Sequence, residues 1–320
     1  MEEAIVTENV ASYGTYRGQS IPLPECQYAE DMVMLEEGRL RLALQGPDNS
    51  VFVCTSDLDR NNWSDIWDVP KEILATGEVA NIALSPDGSI FLCTQRIDDT
   101  GCFVYHFWVV EKNGGYHEIF ISIPEVDYAT KPQISDCDFT SSGKLIVQFY
   151  ANAIFQVDLE TGAVGDNLNE MEQSILKMGC AGESVYFIGC DSVSANISGK
   201  SVSLENTMGR HLIEATQVCS GHTPVASFWE HPEGYLFFIT QKGLFCFVPG
   251  GSVVEEIISG PQFTEGDFKF LPAALAGVED DSFYVLGNQV GGEAVLLHYI
   301  YDAETSAVFP TCNLYESVSP

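Results

Sequence analysis

One arrangement recurs six times along the 320 residues: a short apolar run, a tight polar turn, and a second, stronger apolar run. It reads Leu40-Arg41-Leu42-Ala43-Leu44, Pro47-Asp48-Asn49, Val51-Phe52-Val53, and next Ile82-Ala83-Leu84, Pro86-Asp87-Gly88, Ile90-Phe91-Leu92. The third unit turns at Ser141-Ser142-Gly143 and the fourth at Ala181-Gly182-Glu183. The fifth turns at His231-Pro232-Glu233-Gly234 and the sixth at Glu279-Asp280-Asp281. Asp-Gly and Glu-Gly suit hairpins, because glycine takes the positive-φ position at little cost. Turn-to-turn spacing averages about 46 residues, within the range of repeats that each build one four-stranded unit. A second feature echoes the period. The turn Asp158-Leu159-Glu160-Thr161 returns as Asp302-Ala303-Glu304-Thr305, 144 residues or three times 48 further on.

Short runs of Val, Ile, Phe, Tyr and Thr favour strands, and runs without alternation fit strands covered on both faces. Helical periodicity is confined to residues 167–178, where one or two turns are expected. The expected fold class is therefore all-β, a β-propeller with six or seven blades of about four strands. Seven stays open because the 55 residues between Gly88 and Gly143 leave room for irregular strands. No Pro/Ser-rich linker divides the chain. Residues 16–312 read as a single propeller domain, 1–15 as a flexible N-terminal segment and 313–320 as a C-terminal tail. The extended stretch at residues 16–24 is expected to supply the outer strand of the last blade and remove an exposed edge.

The chain carries 14 Lys and Arg against 46 Asp and Glu, a net charge of −32. Such a surface repels phosphate backbones, which disfavours nucleic acid, while cationic solutes, metal ions and basic protein patches remain compatible with it. No stretch approaches the roughly 20 apolar residues that cross a bilayer. Met1-Glu2-Glu3 carries neither a basic nor an apolar targeting segment, so a natural chain beginning at Met1 is expected in the cytoplasm. Of ten cysteines, Cys54, Cys93, Cys137, Cys190 and Cys246 sit inside apolar runs. They are expected to be buried free thiols, with one or two bridges as the alternative, and no C-x-x-C pair or zinc spacing occurs.

The most suggestive local motif lies at residues 57–65. Asp57, Asp59, Asn61 and Asp65 occupy positions 1, 3, 5 and 9 of a calcium-loop spacing, with Asn62 where glycine belongs. The same stretch resembles a degenerate Asp-box hairpin of sialidase-type propellers, in which the box is structural. The structural turn is the expectation and the metal loop its alternative. A sialidase site needs an arginine cluster and a tyrosine nucleophile. Arg39 and Arg41 share one strand face, but no spacing marks a site. The hydrolase elbow, zinc-helix, Walker and dinucleotide motifs are missing. His106 and His298 lie in apolar strands and read as core residues. Trp63, Trp67, Trp108 and Trp229 offer stacking surfaces, with nothing to select among them. No catalytic, cofactor-binding or metal residue is assigned, and no cofactor is expected.

Lys242-Gly243-Leu244-Phe245, Gly250-Gly251-Ser252 and Glu255-Glu256-Ile257-Ile258-Ser259-Gly260 form a familiar series, followed by Tyr299-Ile300-Tyr301-Asp302. With the opening Tyr13-Gly14-Thr15-Tyr16 and Ile21-Pro22-Leu23-Pro24-Glu25, it resembles the N-terminal propeller-like region of bacterial lipid-anchored extracellular solute-binding proteins. The resemblance implies a cell-surface, extracellular location and solute binding. Two features depart from the pattern: no lipid-anchor cysteine opens the chain, and no α/β solute-binding domain follows.

The function expected is a non-enzymatic binding or interaction module. Its partner would be a protein, glycan or small solute held by loops at one end of the axis. The alternatives are a degenerate glycan-active, sialidase-like enzyme and an intracellular protein-interaction scaffold. A deep axial pocket with converging carboxylates of strongly shifted pKa would point to an enzyme.

Overall fold

Six antiparallel sheets hold the strands of the computed structural model. It describes residues 15–35, 37–122, 133–149, 153–168, 174–190, 198–203, 210–214, 225–231, 236–240, 243–247, 254–259, 270–278, 282–289 and 293–302. After β1 (Thr15–Ile21) the first sheet is β2 (Tyr28–Met34), β3 (Leu40–Gln45), β4 (Val51–Ser56) and β5 (Trp63–Asp68). A short helix, α1 (Lys71–Leu74), leads to β6 (Glu78–Leu84), β7 (Ile90–Ile97), β8 (Phe103–Val110) and β9 (Tyr116–Ile119). The third sheet is β10 (Ile134–Phe139), β11 (Leu145–Phe149) and β12 (Ala153–Val157). The fourth is β13 (Ser174–Ala181), β14 (Ser184–Cys190), β15 (Ser198–Ser203) and β16 (Arg210–Glu214). The fifth is β17 (Val225–Glu230), β18 (Leu236–Thr240), β19 (Gly243–Phe247) and β20 (Val254–Ser259). The last is β21 (Phe270–Val278), β22 (Ser282–Gln289) and β23 (Ala294–Asp302).

The first strands β2, β6, β10, β13, β17 and β21 touch in that order, and β21 returns to β2. The sheets therefore stand around one axis as an all-β propeller. Five blades have four strands, where six or seven blades of about four strands are expected, and a sixth sheet, β10–β11–β12, has three among the described residues. Beside β12 the chain follows an irregular path. Val164 bridges Val157, and the Gly165 and Leu168 N–H groups reach the Gln156 and Ile154 carbonyls. No seventh sheet occurs among the described residues. β1 lies outermost on β23, pairing Thr15 with Asp302 through Ile21 with Leu296. The segment at 16–24 thus closes the last blade as expected.

Five of the seams hide an apolar cluster of their own among the described residues. Phe91, Cys93 and Phe107 meet Phe139, Val147 and Phe149 across the second and third sheets. Phe237, Ile239 and Leu244 meet Phe283, Val285 and Tyr299 across the fifth and sixth. Middle strands are the most enclosed: β4 and β11 are buried throughout, whereas β5 is largely exposed. Continuous apolar runs are what such two-sided cover requires.

Two expectations need correction. The six recurrences are not equivalent: the hairpin Leu40–Val53 joins β3 to β4, the other five join first and second strands, and the matching pair of this blade is β2–β3 with its turn before Arg39. Both turns have the same build, so their sequences look alike. Leu35 N–H bonds Arg39 O in one and Gly46 N–H bonds Ser50 O in the other, with Gly38 (φ 81°) or Asn49 (φ 61°) in the positive-φ position. The helical turns expected at 167–178 are also overturned from Ser174 onward, where the chain is β13. Met178, Cys180 and Ala181 are buried there as part of an inner strand. Residues 1–14 and 303–320, which hold most of the two expected terminal segments, lie outside the described residues.

One irregularity is common to all six blades. Each inner strand slips register against its neighbour once: between Ala29 and Asp31, Val79 and Asn81, Ile134 and Asp136, Ile175 and Lys177, Val225 and Ser227, Pro272 and Ala274. A bulge sharpens local twist and re-aims the next residue. That residue is Asp31, Asn81, Asp136, Lys177, Ser227 or Ala274.

Candidate functional site

An innermost strand has one edge without a ladder partner, and its N–H groups need acceptors. Side chains from the preceding blade supply them. Asp31 accepts from Met32 N–H (2.7 Å) with Oδ1 and from Leu84 N–H of β6 (2.7 Å) with Oδ2. Asp138 does the same for Phe139 (2.7 Å) and for Cys180 of β13 (2.6 Å). Asp136 Oδ2 accepts from Met178 N–H (3.1 Å), while its Oδ1 accepts from Lys177 Nζ (2.8 Å). Between the last and first blades, the Asn288 amide bonds both Ala29 N–H (2.8 Å) and Ala29 O (3.1 Å). Aromatic rings fill two other seams: Phe228 lies against Gly179 and Trp229 against Gly277, where a Cβ would overlap each ring.

Inside this braced ring, a cavity of about 800 Å³ opens at the end of the axis where Asp87, Ser142 and Gly182 turn from first to second strands. All six sheets line it, among them Asp31 and Met34, Asp87, Asp138, Gly182, Trp229 and Gly277. Among the described residues, five carboxylates line it (Asp31, Glu37, Asp87, Asp138 and Glu230), and none of the lining residues is a lysine, arginine or histidine.

Burial pushes the Asp31 carboxyl well above the usual carboxylate range; the Asp138 charge adds to this, and the Leu84 and Met32 N–H groups pull it partly back. Asp138 is raised too, by burial first, against its own two N–H donors. Burial pulls the Lys177 ammonium down, but Asp136, through charge and hydrogen bond, and Asp138 together hold it above its ordinary value. An axial cavity with converging, shifted carboxylates is the mark set above for an enzyme. Here each Oδ of Asp31 and Asp138 already meets a backbone N–H. A general acid or base needs an oxygen within reach of substrate, so these groups act as braces between blades.

The raised Asp31 has a measurable sign. Between about pH 4 and about pH 8 the folded chain holds this proton more tightly than the unfolded one, so the group's contribution to stability falls as pH rises. Asp31→Asn is expected to flatten that fall. Urea midpoints from pH 5 to 8 check it, and an unchanged slope would contradict it.

The residues singled out from the sequence scatter over the fold. The stretch at 57–65 is the β4–β5 turn. Asp57 closes it, accepting from Asn61 N–H (2.8 Å) and Asn62 Nδ2 (2.7 Å), while Asp65 lies 3.8 Å from Lys112. Its carboxylates do not converge, and no group of metal-ligating side chains occurs among the described residues. Arg39 binds Glu37, whereas Arg41 reaches Thr55 and packs on Gly88, so the two do not form a shared grip. His106 bonds Glu118 (2.7 Å), and His298 stacks on Tyr284 at 4.3 Å. Trp63 donates to the Pro22 carbonyl (2.8 Å), and Trp67 and Trp108 pack between the first two blades. Of the four tryptophans only Trp229 lines the axial cavity. Cys54, Cys93, Cys137 and Cys246 are buried free thiols; the Cys190 side chain lies outside the described residues.

The braces Asp31, Asp136, Asp138 and Lys177 escape a reading by apolar runs. For all but Asp138 the signal is positional: a polar residue at the same step of the inner strand in five of six units, Asp31, Asn81, Asp136, Lys177 and Ser227.

No family model and no curated protein matches this chain. Among solved structures it is similar to YCF48 bound to D1 peptide, at 12% identity and a TM-score of 0.53, covering 92% of this chain and 99% of that one. YCF48 from Cyanidioschyzon merolae aligns at 12% identity and 0.52, covering 91% and 99%. The Cps50 (Swd1) β-propeller domain of Myceliophteria thermophila aligns at 12% and 0.53, covering 88% and 99%. At these identities the likeness shows the propeller fold alone.

Proposed function

We propose that this protein is a non-enzymatic interaction module, with residues 16–312 acting as one unit that receives a segment of a protein partner at the inner-turn end of its axis. One observation carries the reading: residues from all six sheets line a mouth of about 800 Å³. Pockets at the mouths of closed β architectures are preferred binding sites. YCF48, which shares the fold, is described in complex with a peptide, and an extended segment suits an axial opening. For its setting we carry the resemblance forward, to an extracellular chain anchored at the cell surface. A gene lacking an upstream signal peptide and anchor cysteine would overturn that setting.

Site-specific photo-crosslinking tests the docking site. A benzoylphenylalanine at Asp87, in an inner turn, is expected to capture a partner protein. The same group at Asp99, at the opposite end of β7, is expected to capture none. Capture only at Asp99 would overturn the site. Release of reducing sugar from complex glycans would favour the enzymatic alternative.

A further inference from the structure

The ring closes where the last blade meets the first, and one residue of the first blade reaches across that seam. Arg60 sits at positive φ (58°) in the β4–β5 turn. Its guanidinium donates to the Leu58 carbonyl (2.7 Å) and to the Gly38 carbonyl of the β2–β3 turn (2.8 Å). It also lies 4.7 Å from the centre of the Tyr284 ring in β22. The β2–β3 turn carries Leu35 and Glu37, which line the mouth. Arg60 is thus a latch between an outer turn, the rim and the last blade. A second nitrogenous head rests on the same ring: His298 of β23 stacks on Tyr284 at 4.3 Å, 12° from parallel. Arg60 Nε and His298 Nε2 are both buried without a hydrogen-bond partner. A neutral imidazole packs there at little cost. A protonated one would set two cations against one buried ring, where neither charge is easily screened.

We propose that His298 is a proton-operated release for this latch: protonation of the imidazole drives the Arg60 guanidinium off Tyr284 and frees the β4–β5 turn at the closing seam. Burial pulls the His298 pKa below its ordinary 6.5, the Arg60 charge pulls the same way, and no carboxylate among the described residues opposes them. The closed seam therefore binds this proton less readily than the open one. Its advantage is complete above the ordinary imidazole value and is lost as pH falls below it. Tyr284, which burial pushes up, stays neutral throughout. Asp57 closes the same turn, but its Asn62 and Asn61 donors hold its carboxyl below the usual range, so it keeps its charge while His298 titrates.

Amide hydrogen exchange on the full chain tests the release at Arg60 and Asn61, whose N–H groups bond Asp57, after correction for the intrinsic pH dependence of exchange. Between pH 7.5 and pH 5 the protection of these two amides is expected to fall at least about tenfold, the scale of one desolvated cation–π contact. The buried strand β11 is expected to keep its protection. His298→Phe retains a ring against Tyr284 and cannot titrate, so its protection is expected not to change with pH. Arg60→Met is expected to show the low value at both. Circular dichroism and thermal midpoints at pH 7.5 confirm that the variants fold. Should His298→Phe not fold, His298→Gln replaces it, and the parent profile still decides by itself. Unchanged protection in the parent, a fall as large in His298→Phe as in the parent, or simultaneous loss in β11 would each overturn the release.

Discussion

Asp136→Ala is expected to lower unfolding stability by about 3 kcal/mol, the low end of what removing one partner of a buried ion pair costs. The low end applies because Lys177 keeps 29% of its side chain exposed, against 10% for Asp136. The substitution removes the Lys177 Nζ contact at 2.8 Å and the acceptor of Met178 N–H at 3.1 Å. It leaves an ammonium inside the ring beside the raised carboxyls of Asp31 and Asp138, and an inner-strand N–H without an acceptor. Combining it with Lys177→Met is expected to recover part of the loss, since no bare charge then remains. Urea unfolding of the two variants checks this. A loss below about 1 kcal/mol, within the range of ordinary surface ion pairs, would show that the pair does not brace the third and fourth blades.

Gly277→Ala is expected to cost about 1–3 kcal/mol, the usual range for overpacking, although alanine is otherwise at least as good in a strand. The Trp229 indole occupies the space of the new methyl group. It cannot swing freely aside, because Phe237 packs at 5.2 Å and His231 at 5.5 Å. Trp229→Leu in the same chain is expected to relieve most of the clash. Denaturation midpoints report both effects and the Trp229 emission maximum the first, and an Ala variant as stable as the parent would mean that this seam is looser than its geometry.

Much of the architecture is legible in the residues. Turns such as Pro86-Asp87-Gly88 and Ser141-Ser142-Gly143 fall where inner and second strands meet, because glycine at φ 98° and 80° is what those hairpins need. The acidity is partly turn chemistry as well. Asp48, Asp87, Asp98 and Asp158 each accept a backbone N–H two residues on. What stays hidden is the traffic across seams. Asp31 meets Leu84 and Asp138 meets Cys180, residues 53 and 42 apart, and a periodic pattern does not say which side chain crosses to the next blade. Lys177 and Asp138 sit inside runs that otherwise read as strand core. For the same reason Trp229 is indistinguishable from Trp63, Trp67 and Trp108 until the ring is assembled, when it alone reaches the axis.

Amide hydrogen exchange on the propeller with its captured partner tests most directly whether that end of the ring is where binding happens. Slowed exchange is predicted at Gly88, Gly143 and Gly182, with Asp99 and Gly101 at the far end unchanged. Protection confined to the far end, or spread along the outer strands β5 and β9, would contradict it.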